Sequence, residues 1–167
     1  FVMKVLALLT ASALALAACS GEEEAPARQP ISEITVDTDL SAIGNARAVD
    51  YWGRLSTDLQ TALATQFVGD ISPRGAVLSV DVDELSLANA YSSQFGQNST
   101  LSGQVTVTDQ RGEQLSSYTV TATSSQALAT ATGAERTITP GSSDFYAALI
   151  HAFAAGVDQT INGSAPR

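Results

Sequence analysis

Residues 75–87 read Gly-Ala-Val-Leu-Ser-Val-Asp-Val-Asp-Glu-Leu-Ser-Leu and give the strongest strand signal in the chain. Apolar and polar side chains alternate along it: Leu78, Val80 and Val82 are apolar, whereas Ser79, Asp81 and Asp83 are polar. Because successive side chains of a β-strand point to opposite faces, this alternation predicts a strand with one buried and one solvent-facing side. Such a strand requires a second layer of structure over its apolar face.

Three more stretches have the same period of two. The segment 31–40 carries Ile34, Val36 and Thr38 between polar neighbours, and the segments 101–109 and 115–123 alternate in the same way. The last two are separated by Asp-Gln-Arg-Gly-Glu at 109–113, where Gly112 is able to adopt the positive φ of a tight turn. They are therefore predicted to form an antiparallel hairpin.

Two other stretches have the period of a helix. In 46–67 apolar side chains recur at steps of three and four, which predicts an amphipathic helix of about five turns. Gly69 then suits a C-terminal cap. The second helix is capped by Ser142 or Ser143 and ends at Asn162-Gly163. The predicted buried stripes are Val49, Trp52, Leu55, Leu59, Ala62, Leu63 and Phe67 in the first helix, and Phe145, Leu149, Ala152, Phe153, Gly156, Val157 and Ile161 in the second.

The order of these elements predicts the fold class. We expect an α+β two-layer sandwich, in which a four-stranded mixed sheet (β-α-β-β-β-α) carries two helices on one face. The first two strands, joined through a helix, should be parallel with a right-handed crossover. The segment 126–141 is rich in small and polar residues, and we expect it to be irregular, with Leu128 or Ile138 packed inward.

The N-terminal stretch is of a different kind. From Met3 it has one basic residue, Lys4, then an apolar run to Ala18, and then Cys19, the only cysteine of the chain. The run is shorter than the roughly 20 apolar residues that a membrane span needs, and it has the three regions of a secretory signal peptide. The alternative is a buried helix with Cys19 as a small core residue. The terminal position, Lys4 and the acidic stretch that follows favour the signal peptide.

Residues 16–19, Leu-Ala-Ala-Cys, resemble the lipobox of bacterial lipoproteins. In that family the cysteine thiol receives a diacylglyceryl group, the peptide is cleaved before the cysteine, and the new amino terminus is acylated. The resemblance implies that Cys19 is lipidated and anchors the chain in a lipid bilayer. In Gram-negative lipoproteins Asp after the cysteine favours the inner membrane, so Ser20 implies the periplasmic face of the outer membrane.

These features divide the chain into four parts. We expect a signal peptide at 1–18, a lipidated cysteine and flexible acidic tether at 19–30, a single α+β domain at 31–163, and a disordered tail at 164–167. The three glutamates 22–24 are either a solvated charge run or a binding motif, and the first interpretation is the simpler one.

The composition excludes one class of partner. Beyond the predicted signal peptide there are seventeen Asp and Glu against seven Arg and no Lys, so this part of the chain carries a net charge of −10. Nucleic acid repels such a surface, and we expect no nucleic-acid partner. With a single cysteine, no intramolecular disulfide is possible, and the domain must be stabilised by its apolar core.

The sequence contains no motif of a known reaction. His151 is the only histidine, and it lies about 200° around its helix from Leu149, so it is predicted to face solvent. Without an orienting partner such a histidine does not act as a general base. We therefore predict no catalytic residue, no cofactor and no metal site. The chain is not expected to be an enzyme.

Two groups of residues leave an alternative open. Asp37, Asp39, Asp81 and Asp83, with Glu84, either face solvent as ordinary polar positions or converge at one sheet edge to bind a cation. Separately, Tyr91 and Phe95 in the long polar loop either contact a partner or fold back over the core.

The lipobox, the tether and a strand–helix–three-strand–helix domain together resemble small outer-membrane lipoproteins. These include the lipoprotein that assists lipopolysaccharide assembly and the auxiliary lipoproteins of ABC-type lipid transport systems. The resemblance implies a non-catalytic binding or assembly accessory, with a protein or lipid partner at the outer membrane. The alternative hypothesis is a periplasmic metal-dependent hydrolase that uses the acidic strand positions.

Overall fold

The structure, a computed structural model, describes residues 27–38, 44, 46–88, 98–131 and 138–163. Its strands are β1 (Ile31–Thr38), β2 (Ala76–Ser86), β3 (Thr100–Thr108) and β4 (Gln114–Thr123), and its helices are α1 (Ala46–Gln66), α2 (Ser124–Ala131) and α3 (Ser143–Asn162). A short 3₁₀ helix, Val68–Asp70, follows α1. The predicted order of strands and long helices is confirmed, and α2 is an additional helix.

The four strands form one mixed sheet in the order β1-β2-β3-β4. β1 is parallel to β2 and β3 is antiparallel to β4, as the helical crossover and the hairpin turn predicted. β3 also pairs antiparallel with β2, for which the sequence patterns made no prediction. The hairpin turn contains Gly112 at φ 87°. Asp109 closes this turn, since its Oδ1 accepts backbone N–H groups of Arg111 at 2.8 Å and Glu113 at 2.9 Å.

One face of the sheet is apolar and is covered by α1 and α3. The core between the layers includes Leu78, Val80, Val82, Leu101, Val105, Val107, Val120 and Ala122 from the sheet and Leu55, Leu59, Leu63, Phe67, Phe145, Leu149 and Phe153 from the helices. The opposite face carries hydroxyl and amide side chains that bond across strands. Thr35 donates to Ser79 at 3.0 Å, and Ser102 pairs with Thr121 at 3.1 Å.

α3 is buried on two sides, which the sequence did not indicate. Besides the predicted stripe, Tyr146, Ile150 and Ala154 are buried, because α3 lies between α1 and α2 as well as against the sheet. Its N-terminus is capped as predicted, with Ser142 Oγ accepting the N–H of Phe145 at 3.1 Å. A helix that is apolar on most of its circumference is typical of such a central position.

Two predictions in the first helix are wrong. Val49 is 55% exposed, because the stripe that faces the core starts at Ala48 and continues through Trp52 and Leu55, which turns Val49 about 100° away. Trp52 itself is partly buried at the margin of the core. Gly69 is also not a left-handed cap, since α1 passes into the 3₁₀ helix and Gly69 has no positive φ.

The segment after β4 is not irregular at its start. α2 begins directly after β4, and Gln126 Oε1 accepts the backbone N–H of Thr123 at 2.8 Å and its hydroxyl at 3.0 Å. This is the glutamine half of a capping box, which satisfies an N–H at the start of the helix. Ala127 is fully buried and Ile138 packs against the core, while Leu128 remains 40% exposed.

Candidate functional site

The residues predicted to carry anchoring and partner contact lie outside the described ranges. Cys19, Tyr91 and Phe95 are all in segments of which the structure says nothing, so their roles stay predictions. Among the helices that are described, none combines the length and the apolar character needed to cross a bilayer.

The acidic strand positions are brought together only as a pair. Asp37 and Asp81 are register partners on β1 and β2, and both side chains are exposed. Asp83 and Glu84 follow at an irregularity of the ladder, and Asp39 lies outside the described residues. Across the described ranges no three His, Cys, Asp or Glu side chains gather as a metal ion would require. The pair Asp37–Asp81 is by itself an exposed acidic position of the sheet.

One concave feature that the structure describes is a groove between α1 and α3. It is an open pocket of about 320 Å³, and its lining includes Arg54, Asp58 and Thr61 from α1 and Ser143, Tyr146 and His151 from α3. His151 is exposed on the helix surface, as predicted, and it stands at this groove. We call this pocket the α1–α3 groove.

Two tyrosines and an arginine form an ordered cluster at the groove. The rings of Tyr51 and Tyr146 are stacked with centroids 4.3 Å apart and planes 21° from parallel. The Arg54 guanidinium carbon lies 4.9 Å from the centre of the Tyr51 ring and 5.1 Å from that of Tyr146. A cation at this distance from two aromatic rings is attracted by both of their quadrupoles.

Asp58 joins the members of this cluster. Its Oδ2 accepts the hydroxyl of Tyr146 at 3.0 Å and forms an ion pair with Arg54 Nε at 3.2 Å. Burial raises the pKa of Tyr146 well above its usual value, and the charge of Asp58 and the hydrogen bond to it act in the same direction. Tyr146 is therefore a protonated donor at any physiological pH.

The sequence contained part of the signal for this cluster. Tyr51, Arg54 and Asp58 follow one another at steps of three and four, so they share one face of α1. Tyr146 is the missing part, because its pairing with Asp58 spans 88 residues and depends on how α1 and α3 pack. No pattern in the sequence predicted a role for Tyr146.

A second polar cluster binds the N-terminal end of the described chain to the ends of both long helices. Arg28 donates from Nε and Nη2 to Asp70 at 2.8–2.9 Å and from Nη2 to Asp158 at 2.6 Å. Next to it, the N–H of Gln29 donates to Asn162 Oδ1 at 2.6 Å. We call this group the Arg28 clamp. A cation is stabilised at the C-terminal ends of helices by their dipoles.

The clamp changes the acidity of its members. The hydrogen bond to Asp70 raises the pKa of Arg28, and the bond and charge of Asp158 add to it, although burial opposes them. For Asp158, burial would raise the pKa, but hydrogen bonds from Asn162 and Gln66 and the charge of Arg28 lower it below its usual value. Both groups are therefore held in their charged forms near neutral pH.

Comparison with known proteins finds similarity among solved structures and not among protein families or curated sequences. No protein-family model matches the chain, and no curated protein sequence matches it.

Solved structures similar to this chain include three bacterial proteins. The PelC dodecamer from Paraburkholderia phytofirmans is 13% identical over 78% of this chain and 87% of that chain, with a TM-score of 0.41. A Xanthomonas campestris protein with the family designation DUF330 is 14% identical over 82% and 81%, with a TM-score of 0.43. A minor lipoprotein from Acinetobacter baumannii is 14% identical over 78% and 90%, with a TM-score of 0.37. A function for this chain is therefore inferred from its own residues and not from these similarities.

Proposed function

We propose that the chain is a lipid-anchored periplasmic lipoprotein, held in the outer membrane by Cys19, that acts as a non-catalytic binding or assembly accessory. The contact surface for its protein partner is the α1–α3 groove. The lipobox-like residues 16–19 and Ser20 support the anchor and its location. The resemblance to lipopolysaccharide-assembly and transport-auxiliary lipoproteins supports a role in outer-membrane biogenesis or lipid transport.

The observation that carries the binding role is the ordered cluster of Tyr51, Arg54 and Tyr146. Tyrosine and arginine are enriched among the few residues that supply most of the binding energy of protein interfaces. Here their side chains are already held by ring stacking, by the cation–π contacts and by Asp58. A surface that is ordered before binding loses less side-chain entropy when a partner docks.

The geometry of this cluster favours the binding of a partner over catalysis. The polar atoms of Arg54, Asp58 and Tyr146 bond one another, and Tyr146 keeps its proton. The two threonines of the groove, Thr61 and Thr65, donate their hydroxyls to carbonyls of their own helix, at 2.8 and 2.9 Å. These groups are suited to accept and shape a partner side chain.

Site-specific photo-crosslinking in intact cells tests this proposal. A benzophenone amino acid is placed at Thr61, an exposed residue of the groove, and as a matched control at Thr121, an exposed threonine on the opposite face of the sheet. We expect a discrete cross-linked envelope protein from position 61 and none from position 121.

Substitution of Arg54 tests whether the cross-link at position 61 depends on the tyrosine–arginine cluster. Arg54→Ala should weaken the association at position 61 about tenfold or more, because truncation of a hot-spot arginine costs about 2 kcal/mol. Glu84→Ala, a substitution of an exposed charged residue of β2 away from the groove, should leave it unchanged. Equal cross-linking at both positions, or full cross-linking in Arg54→Ala, would contradict the proposal.

A further inference from the structure

One end of the domain lies apart from the α1–α3 groove. The ends of α1 and α3, the 3₁₀ helix and the turns before β2 and β4 all meet there. Gln110 Nε2 joins the two turns by donating to Pro73 O at 2.8 Å. We call this end the proximal pole and define it as residues 27–30, 66–75, 109–115 and 158–163.

The Arg28 clamp makes the chain enter the domain at this pole. Arg28 is tied to Asp70 after α1 and to Asp158 near the end of α3, so the described chain starts at this end of the domain. Only eight residues separate Arg28 from Cys19. At full extension this segment reaches about 30 Å. A lipid anchor on Cys19 therefore keeps the proximal pole near the bilayer surface.

The surface of the pole is suited to contact with a bilayer. Three of the five large apolar side chains that are exposed in the described ranges lie here: Val68 (74%), Ile71 (53%) and Leu115 (55%). Apolar side chains of this kind favour the boundary between headgroups and acyl chains.

The charges of the pole are compatible with the same contact. The carboxylates of Asp70 and Asp158 are bound by Arg28, and Asp109 accepts two backbone N–H groups. Among the described side chains of the pole, Arg74 and Arg111 are exposed and take part in no ion pair. Glu113 is an exposed carboxylate of the same pole, so three arginines against four carboxylates leave the pole with a net charge of −1 in a chain of net charge −9. This nearly neutral end, with two unpaired arginines, is compatible with contact to anionic headgroups.

We infer that the proximal pole rests on the surface of the bilayer that holds the anchor, with Val68, Ile71 and Leu115 at the lipid boundary and Arg74 and Arg111 at the headgroups. This orientation rests on the proposed lipidation of Cys19. Weak surface affinity suffices, because the short tether gives the pole a high effective concentration at the membrane. The tyrosine–arginine cluster then lies on the half of α1 that is farther from the membrane.

Fluorescence of the full-length lipidated chain in vesicles of phosphatidylethanolamine and phosphatidylglycerol tests the orientation. Cys19 is the only native cysteine, and its thiol is consumed by lipidation, so an introduced cysteine is the one site for a nitrobenzoxadiazole label. The label is placed at Val68→Cys and, as a matched control, at Leu128→Cys, an exposed apolar residue of α2 at the other end of the domain. Lipids carrying a spin label quench a fluorophore only where it touches the bilayer.

We expect the emission at position 68 to shift to the blue and to be quenched by the spin-labelled lipids, and the emission at position 128 to stay unquenched. Arg28→Gln releases the clamp and should reduce the difference between the two positions. Equal quenching at 68 and 128 in vesicle-bound protein would overturn the orientation and leave the anchor standing. A chain that stays off the vesicles and is labelled at Cys19 would overturn the anchor, and the orientation with it.

Discussion

Tyr146 connects the two long helices at the level of a single residue. Its buried hydroxyl donates to Asp58 and its ring stacks on Tyr51, so it holds the shape of the α1–α3 groove. Removal of the hydroxyl alone leaves the ring in place. It therefore separates the hydrogen bond from the packing.

We expect Tyr146→Phe to lower the free energy of unfolding by about 1 kcal/mol at neutral pH, the usual contribution of such a bond to a partly exposed carboxylate. Because the pKa of Tyr146 is raised in the folded state, this contribution is fully present below the usual tyrosine pKa of 10.0 and is lost as the pH rises above it. Urea unfolding followed by Trp52 fluorescence measures the difference. A variant as stable as the parent at pH 7 would contradict the role of the bond.

The contribution of Asp158 to stability has the opposite pH dependence to that of Tyr146. Its pKa is lowered in the folded state, so its contribution is present above the usual value of 3.8 and is lost as the pH falls below that value. We expect Asp158→Asn to destabilise the domain by about 1 kcal/mol at pH 7, since the pair is partly exposed and screened. The difference from the parent should shrink as the pH falls below 3.8. Glu113→Gln, a carboxylate at the same pole, serves as the control and should change stability little.

At the scale of elements, the strands were predictable and the helices only in part. Each strand exposes one face, so its period of two is visible in the sequence. α3 is buried towards the sheet and towards α1, and a single stripe cannot describe a helix of that kind. The long-range contact of Tyr146 with Asp58 depends on the packing angle of two helices, which no local pattern encodes.

Two residues six positions apart test which face of α1 is turned towards the core. Leu55 is fully buried, whereas Val49 is exposed although it was assigned to the same stripe. Leu55→Ala should destabilise the domain by about 3 kcal/mol, the usual result of an aliphatic truncation in a core. Val49→Ala should remain within about 0.5 kcal/mol of the parent. Comparable losses in denaturant unfolding would restore the predicted stripe.

The start of α2 also had a local signal, the spacing of Thr123 and Gln126. Gln126→Ala removes the side-chain oxygen that accepts the N–H and the hydroxyl of Thr123. We expect faster amide hydrogen exchange in 124–131 and a loss of stability of about 1 kcal/mol, as for other helix caps. Gln126→Glu keeps an acceptor and should retain the protection. Unchanged exchange in the alanine variant would show that the bond between Thr123 and Gln126 does not hold the start of α2.

At the scale of the whole molecule, the two polar clusters lie towards opposite ends of the helical layer. The Arg28 clamp lies where α1 and α3 end, and the Tyr51–Arg54–Tyr146 cluster lies in the N-terminal halves of the same helices. From residue 51 to residue 66 of α1 the rise is about 22 Å. An anchored domain of this shape would present the groove away from the membrane, where a partner can reach it.

Both proposals depend on the chemistry of one residue, Cys19. The most direct measurement is the mass of the N-terminal peptide of the chain purified from Gram-negative membranes, compared with that of Cys19→Ser. The account predicts a peptide that begins at Cys19 and carries a diacylglyceryl thioether and an amide-linked acyl chain, with membrane association lost in Cys19→Ser. A membrane-free protein with an unmodified Cys19 thiol, or an intact segment before it, would contradict the account.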